Sequence, residues 1–197
     1  MLSKMCTNEL ENQKRRLKEL MEEKAFLVRS PLKDEPFVLA SGDKSWVFFD
    51  CKTVTQNPEG ISLIAEIFFE MVKDYNLDAI GGIQTGAIPI CTAVAQLSYL
   101  KGSPIPAFWV REKRKEHGTM NKLEGGLKPN SRVVVVDDVT TKGTSVLKAV
   151  EEVLELNCEI AAVITLVDRE AGAREIIEQK GLKYLPIFKK SDFKVQA

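Results

Sequence analysis

Apolar residues fall into two patterns along the chain. Leu10, Leu17, Leu20 and Met21 recur at helical spacing among charged neighbours, so residues 8–26 are expected to form an amphipathic helix packed on a neighbouring surface. Phe37-Val38-Leu39 and Trp46-Val47-Phe48-Phe49 are rich in strand formers. The turn chemistry of Ser41-Gly42-Asp43-Lys44 between them predicts a hairpin. From residue 61 onward helix and strand alternate. Helical apolar faces cover 61–75 and 87–99, with a strand at 79–83 between them. The segments 107–110, 133–136 and 161–167 are unbroken apolar runs, as expected of parallel strands covered on both faces, and 146–156 and 171–179 supply covering helices. The fold class is therefore α/β, with a mostly parallel sheet flanked by helices. Such sheets bind ligands beyond the carboxyl ends of their strands, and the loops there are where chemistry is expected.

Composition narrows the partners. The chain has 197 residues, enough for one substantial core with a small N-terminal addition. Its 28 Lys and Arg are balanced by 28 Asp and Glu, which leaves no global positive field for nucleic acid or an anionic membrane. A small-molecule partner is expected instead. Apolar runs are short, and the N-terminal stretch with Glu9, Glu11 and Lys14-Arg15-Arg16 lacks the apolar core of a signal peptide, so a cytoplasmic protein is expected. Cys6, Cys51, Cys91 and Cys158 form no CxxC pair and the chain has a single histidine, which predicts free thiols and no zinc site.

The run Val133-Val134-Val135-Val136-Asp137-Asp138-Val139-Thr140-Thr141-Lys142-Gly143-Thr144-Ser145 carries the strongest chemical signal. A buried strand is expected to end at two adjacent acids, followed by a loop of hydroxyls and one glycine that opens a helix. Helix N-terminal N–H groups make an anion site, and Thr141, Thr144 and Ser145 add hydroxyl donors. The carboxylates ahead of the loop are poor partners for phosphate but good acceptors for vicinal ribose hydroxyls. Together they suit a ribose 5-phosphate. A strand ending in solvated acids, followed by a helix capped by Thr144 or Ser145, would leave much the same local pattern. A Walker A loop is excluded, because no GxxxxGK[ST] occurs here or at Gly81–Gly86.

This run resembles the phosphoribosyl pyrophosphate (PRPP) signature of type I phosphoribosyltransferases. Three further segments resemble the orotate phosphoribosyltransferases within that superfamily. Arg111-Glu112-Lys113-Arg114-Lys115-Glu116-His117-Gly118-Thr119 is similar to their catalytic loop. Leu39 to Asp50 is similar to their N-terminal base-pocket element, and Val167-Asp168-Arg169-Glu170 to the segment whose arginine meets the orotate carboxylate. Gly81-Gly82-Ile83-Gln84-Thr85-Gly86 also resembles the family's pyrophosphate-binding turn. The matching pieces run from about Phe37 to Arg169.

The resemblance implies a Rossmann-like type I phosphoribosyltransferase fold in which residues 1–60 form a helix and hairpin hood over the base pocket and 61–197 form the catalytic core. It implies transfer of the phosphoribosyl group from PRPP to N1 of orotate, giving orotidine 5′-phosphate and pyrophosphate. Catalytic roles then fall on Lys113, Lys115, His117, Asp137 and Asp138. PRPP contacts fall on these and on Gln84, Thr85, Arg111, Val139, Thr140, Thr141, Lys142, Gly143, Thr144 and Ser145. Orotate contacts fall on Lys44, Phe48, Phe49, Thr141 and Arg169. A guanidinium suits a planar carboxylate because it donates two parallel hydrogen bonds, whereas a neutral purine would not require one. Mg²⁺ is the implied cofactor, carried by PRPP with no direct side-chain ligand assigned beyond Asp137 or Asp138 through water. A homodimer is implied as well, with the catalytic loop as a lid shared across the interface. A purine-base phosphoribosyltransferase would share residues 137–145 without needing Arg169. A PRPP-sensing regulator would need a basic face or an added domain. The chain departs from the family pattern at Glu112, at Lys142 inside the phosphate loop, and at Ala40.

Overall fold

A computed structural model describes residues 2–39, 42–112 and 122–194, with residues 2–7 described by their backbone alone. The elements in chain order are α1 (Leu2–Lys24), β1 (Phe26–Val28), β2 (Phe37–Val38), β3 (Lys44–Ser45), β4 (Val47–Phe49), α2 (Lys52–Thr55) and α3 (Pro58–Val72). There follow β5 (Ala79–Ile83), α4 (Ala87–Leu100), β6 (Ala107–Val110), β7 (Leu123–Glu124), β8 (Arg132–Thr140), α5 (Thr144–Leu154), β9 (Glu159–Asp168), α6 (Ala173–Gln179) and β10 (Tyr184–Lys189).

A six-stranded sheet of order β10-β9-β8-β5-β6-β7 organises the molecule. Every pairing in it is parallel except that of β6 with β7. The unbroken valine run of β8 has a direct physical reading. Side chains alternate across a strand, so Val134 and Val136 enter one core while Val133 and Val135 enter the other. The first core is built with Leu17, Leu20 and Met21 of α1, Ile64 and Phe68 of α3, and Ile90 and Val94 of α4. The second is built with Val146, Val150 and Val153 of α5 and Ile177 of α6. The α/β sheet flanked by helices is thus as the apolar pattern predicted. Local signals set element ends: α3 begins at Pro58 behind Asn57, whose side chain accepts from Gly60 N–H at 3.0 Å.

Several sequence-based expectations need correction. Residues 37–39 and 46–49 do not form one hairpin. Phe37 and Val38 pair with Ser45 and Lys44, whereas β4 pairs antiparallel with β1. The reason lies in the apolar alternation of β4. Val47 and Phe49 are buried, and pairing with β1 sets Phe49 against Phe26 at 5.2 Å and Phe193 at 5.0 Å. The strand expected to stop at Asp137 continues to Thr140, because β9 runs alongside it and pairs Asp137 with Thr165 and Thr140 with Asp168. The first helix begins at Leu2 rather than residue 8, and edge strands β7 and β10 were not anticipated. Cys51, Cys91 and Cys158 are buried free thiols; the side chain of Cys6 lies outside the described residues. No helix among the described residues is long and apolar enough to cross a membrane.

Candidate active site

The carboxyl ends of β5, β6, β8 and β9 converge on one edge of the sheet. Beyond β8 a cavity of about 300 Å³ is lined by Asp137, Val139, residues 140–146 and Lys148. Its floor is the N-terminus of α5, whose first turn holds no acidic residue. Gly143 caps that helix with φ +76°, a left-handed conformation costly for residues with a Cβ, and no side chain of the cap residue occupies the N-terminal amides. Thr144 and Ser145 are exposed and Thr141 is half-buried, so their hydroxyls are available to an anion. Thr140 differs. It is buried, and its hydroxyl donates to Thr165 Oγ1 at 3.0 Å in the core. Lys148, one turn into α5, brings a cation to the same cavity. Its spacing of four residues from Thr144 was the available sequence signal.

The two acids sit in different environments. Asp137 is 5 % exposed, with Oδ1 accepting from Asp138 N–H at 2.9 Å, while Asp138 Oδ1 accepts from Val139 N–H at 2.9 Å. Burial, reinforced by the charge of Asp138, pushes the Asp137 carboxyl well above the usual carboxylate range. Burial is also the main cause raising the Cys51 thiol, with Asp138, Asp50 and Asp137 adding to it, so this cysteine stays protonated.

The turn after β5 lies against Asp138. Gln84 N–H donates to Val110 O at 2.9 Å, the Gln84–Thr85 peptide bond is cis, and Thr85 is exposed. A Cβ added to Gly86 would lie 2.2 Å from Asp138 Oδ1, so only glycine allows this close approach without displacement. At the end of β6, Arg111 N–H donates to Lys122 O at 2.8 Å and its Nε donates to Glu124 Oε1 at 2.5 Å. The basic loop therefore leaves the sheet from a short antiparallel stem. Lys113, Lys115 and His117 lie outside the described residues, as do Ala40 and Ser41.

The base-pocket candidates occupy the segment that faces the end of β9. Arg169 is 8 % exposed, and burial depresses its pKa. Its Nη2 donates to Val47 O at 2.7 Å and to Ser45 Oγ at 3.2 Å, and its backbone N–H donates to Thr140 O at 2.9 Å. Neither a surface salt bridge with Glu170 nor a helix cap describes this residue. Lys44 is exposed beside these contacts. Phe48 is half-buried and stacks on Phe37 at 5.4 Å, with the Arg29 guanidinium 4.0 Å from the Phe37 ring centre. Phe49 points the other way, and its ring belongs to the core. Lys142 Nζ lies 2.7 Å from Asp43 Oδ2.

Whether these residues could hold Mg²⁺ can be judged from the donors present. No group of three or more His, Cys, Asp or Glu side chains that could hold a metal occurs among the described residues. An octahedral ion held here by Asp137 or Asp138 would need most of its oxygens from a ligand and water.

Comparison with known proteins gives a consistent result. The phosphoribosyl transferase domain family matches residues 50–191. The chain is 47 % identical over 159 residues to an orotate phosphoribosyltransferase of Bradyrhizobium diazoefficiens, covering 79 % of this chain and 85 % of that protein. It is similar in structure to the Mycobacterium tuberculosis orotate phosphoribosyltransferase, with a TM-score of 0.78, 32 % identity and coverage of 93 % and 99 % of the two chains. The complex of that enzyme with PRPP matches at a TM-score of 0.74 and 32 % identity over 91 % of this chain and 98 % of the other.

Proposed function

Because the chain belongs to the phosphoribosyltransferases, and within them to the orotate phosphoribosyltransferase family, we propose that it transfers the phosphoribosyl group of PRPP to N1 of orotate. The observation that carries this reading is a juxtaposition. Two acids near the end of β8 and the hydroxyl-lined loop after it lie next to a buried arginine after β9 that faces an N-terminal covering segment.

The 5-phosphate sits at the N-terminus of α5, held by backbone amides and the hydroxyls of Thr141, Thr144 and Ser145. Asp137 and Asp138 orient the ribose hydroxyls. Orotate lies under the segment that carries Lys44 and Phe48, with its carboxylate toward the guanidinium of Arg169. Phe49 acts by fixing β4 to the core. Residues 1–60 thus serve as the hood and 61–197 as the catalytic core. N1 of orotate, presented as the anion, attacks the anomeric carbon as its bond to pyrophosphate oxygen breaks. Negative charge grows on the leaving pyrophosphate, so Arg111, Lys113, Lys115 and His117 stabilise the transition state more than the ground state. Gln84 and Thr85 complete the pyrophosphate site. Asp137 or Asp138, together with PRPP itself, would hold Mg²⁺, which would supply further neutralisation of that charge. Closure of the basic loop excludes the water that would hydrolyse the activated sugar. The enzyme works in the cytoplasm as a homodimer, with small-molecule partners and neither nucleic acid nor membrane.

Arg169→Ala tests the base assignment. The expected result is loss of orotate turnover with the affinity for PRPP retained within a few-fold. Equal losses toward both substrates would count against a role in orotate recognition. The shared lid is tested by mixing Lys113→Ala subunits with Asp138→Ala subunits: a loop that acts across the interface gives the mixed dimer one site with an intact core and an intact loop, which should recover part of the lost activity. No recovery despite demonstrated subunit exchange would contradict it.

A further inference from the structure

Lys142 stands in the phosphate loop where the family pattern has a small residue, and the mechanism above gives it no task of its own. Its ammonium pairs at 2.7 Å with Asp43, in the turn between β2 and β3, and both side chains are about half exposed. At the other end of the same segment, Arg169 binds Ser45 Oγ and Val47 O. Residues 43–47 are thus tethered at both ends, to the loop after β8 and to the chain just after β9, with Lys44 between the tethers. An exposed pair contributes little to global stability, so the consequence of this one is positional. An ammonium has three donors, and one carboxylate leaves capacity for a phosphate oxygen. One cation can therefore sense the occupant of the phosphate loop while holding the covering segment.

We propose that Asp43 and Lys142 are a positioning pair that couples the segment covering the base to the loop holding the 5-phosphate, so that phosphate binding sets the hood for orotate. This rests on the orotate reading above. Coupling of this kind is reciprocal, so the pair links the affinities for the two substrates.

The test is a double-mutant cycle of Asp43→Asn and Lys142→Gln, with KM measured separately for orotate and PRPP. Asp43→Asn is expected to raise the KM for orotate roughly two- to fivefold. Lys142→Gln should raise both KM values, and adding Asp43→Asn to it should change the orotate KM no further. Asp43→Glu, which keeps the charge, should stay near wild type, and added salt should narrow the gap between wild type and Asp43→Asn. An unchanged orotate KM in Asp43→Asn, or independent effects that multiply in the double variant, would overturn the proposal. So would a lowered KM for PRPP alone, the mark of an acid that merely competes with phosphate for the ammonium. Wild-type turnover of orotate in the same series is the separate readout for the function itself.

Discussion

Gly86 offers a perturbation whose size can be worked out atom by atom. The residue caps α4 with helical angles, φ −63° and ψ −39°, so the backbone there accepts alanine. The added Cβ would nevertheless sit 2.2 Å from Asp138 Oδ1 and 2.5 Å from its carboxyl carbon. Carbon–oxygen contacts normally begin at roughly 3.3 Å, so the turn and the carboxylate must separate by about 1 Å. A misplacement of about 1 Å in a reacting assembly can cost on the order of 100-fold, and Gly86→Ala should lower kcat/KM for PRPP by about that factor. Stability should move little. Rotating one half-buried carboxylate off its rotamer costs roughly 0.5–1.5 kcal/mol. The reduced freedom of the unfolded chain offsets roughly 0.4–1 kcal/mol of that. The assay pairs the absorbance change on orotate consumption with thermal unfolding of the same samples. Activity within about twofold of wild type would refute the claim that Asp138 must hold this position. A large fall in melting temperature would show that the turn gives way instead of the carboxylate.

Asp137→Asn should raise the melting temperature at neutral pH. A folded-state pKa above the unfolded value means that stability present at low pH is lost as pH rises through the folded pKa, and the amide removes that loss. Below the unfolded pKa the two proteins should melt alike, so a gain that persists unchanged at acid pH would contradict the assignment. Phe68→Ala, at a fully buried position of the first core, should cost about 3–5 kcal/mol in a denaturant titration; a cost under about 1 kcal/mol would argue against that packing. Lys148→Ala should raise the KM for PRPP a few-fold and flatten its salt dependence, whereas an unaltered salt response would remove Lys148 from the phosphate site.

The parallel sheet was legible because its signals are local. Valines 133–136 have no polar alternation, and a short run of β-branched residues between helical segments suits a strand buried on both faces. The loop that lines the cavity after β8 was legible for a similar reason, since strand, acids, hydroxyl loop and helix follow one another in sequence. The segment 37–49 was misread because its pairing is settled by distant partners. Phe49 joins Phe26 and Phe193, and nothing in residues 37–50 announces either ring. The ion pair of Lys142 with Asp43 and the bonds of Arg169 to Ser45 and Val47 were equally hidden, since each joins residues about a hundred positions apart. Thr140 was grouped with its neighbours as a PRPP contact, whereas in the folded chain it pairs with Asp168 of β9 and its hydroxyl donates to Thr165.

The most direct test of the central claim offers the purified protein PRPP and Mg²⁺ with orotate, adenine, guanine, hypoxanthine or xanthine in turn, and measures pyrophosphate release and nucleotide formed. The account predicts orotidine 5′-phosphate from orotate and no nucleotide from any purine. Turnover of a purine with orotate inert would contradict the base assignment, and silence with every base would contradict catalysis itself.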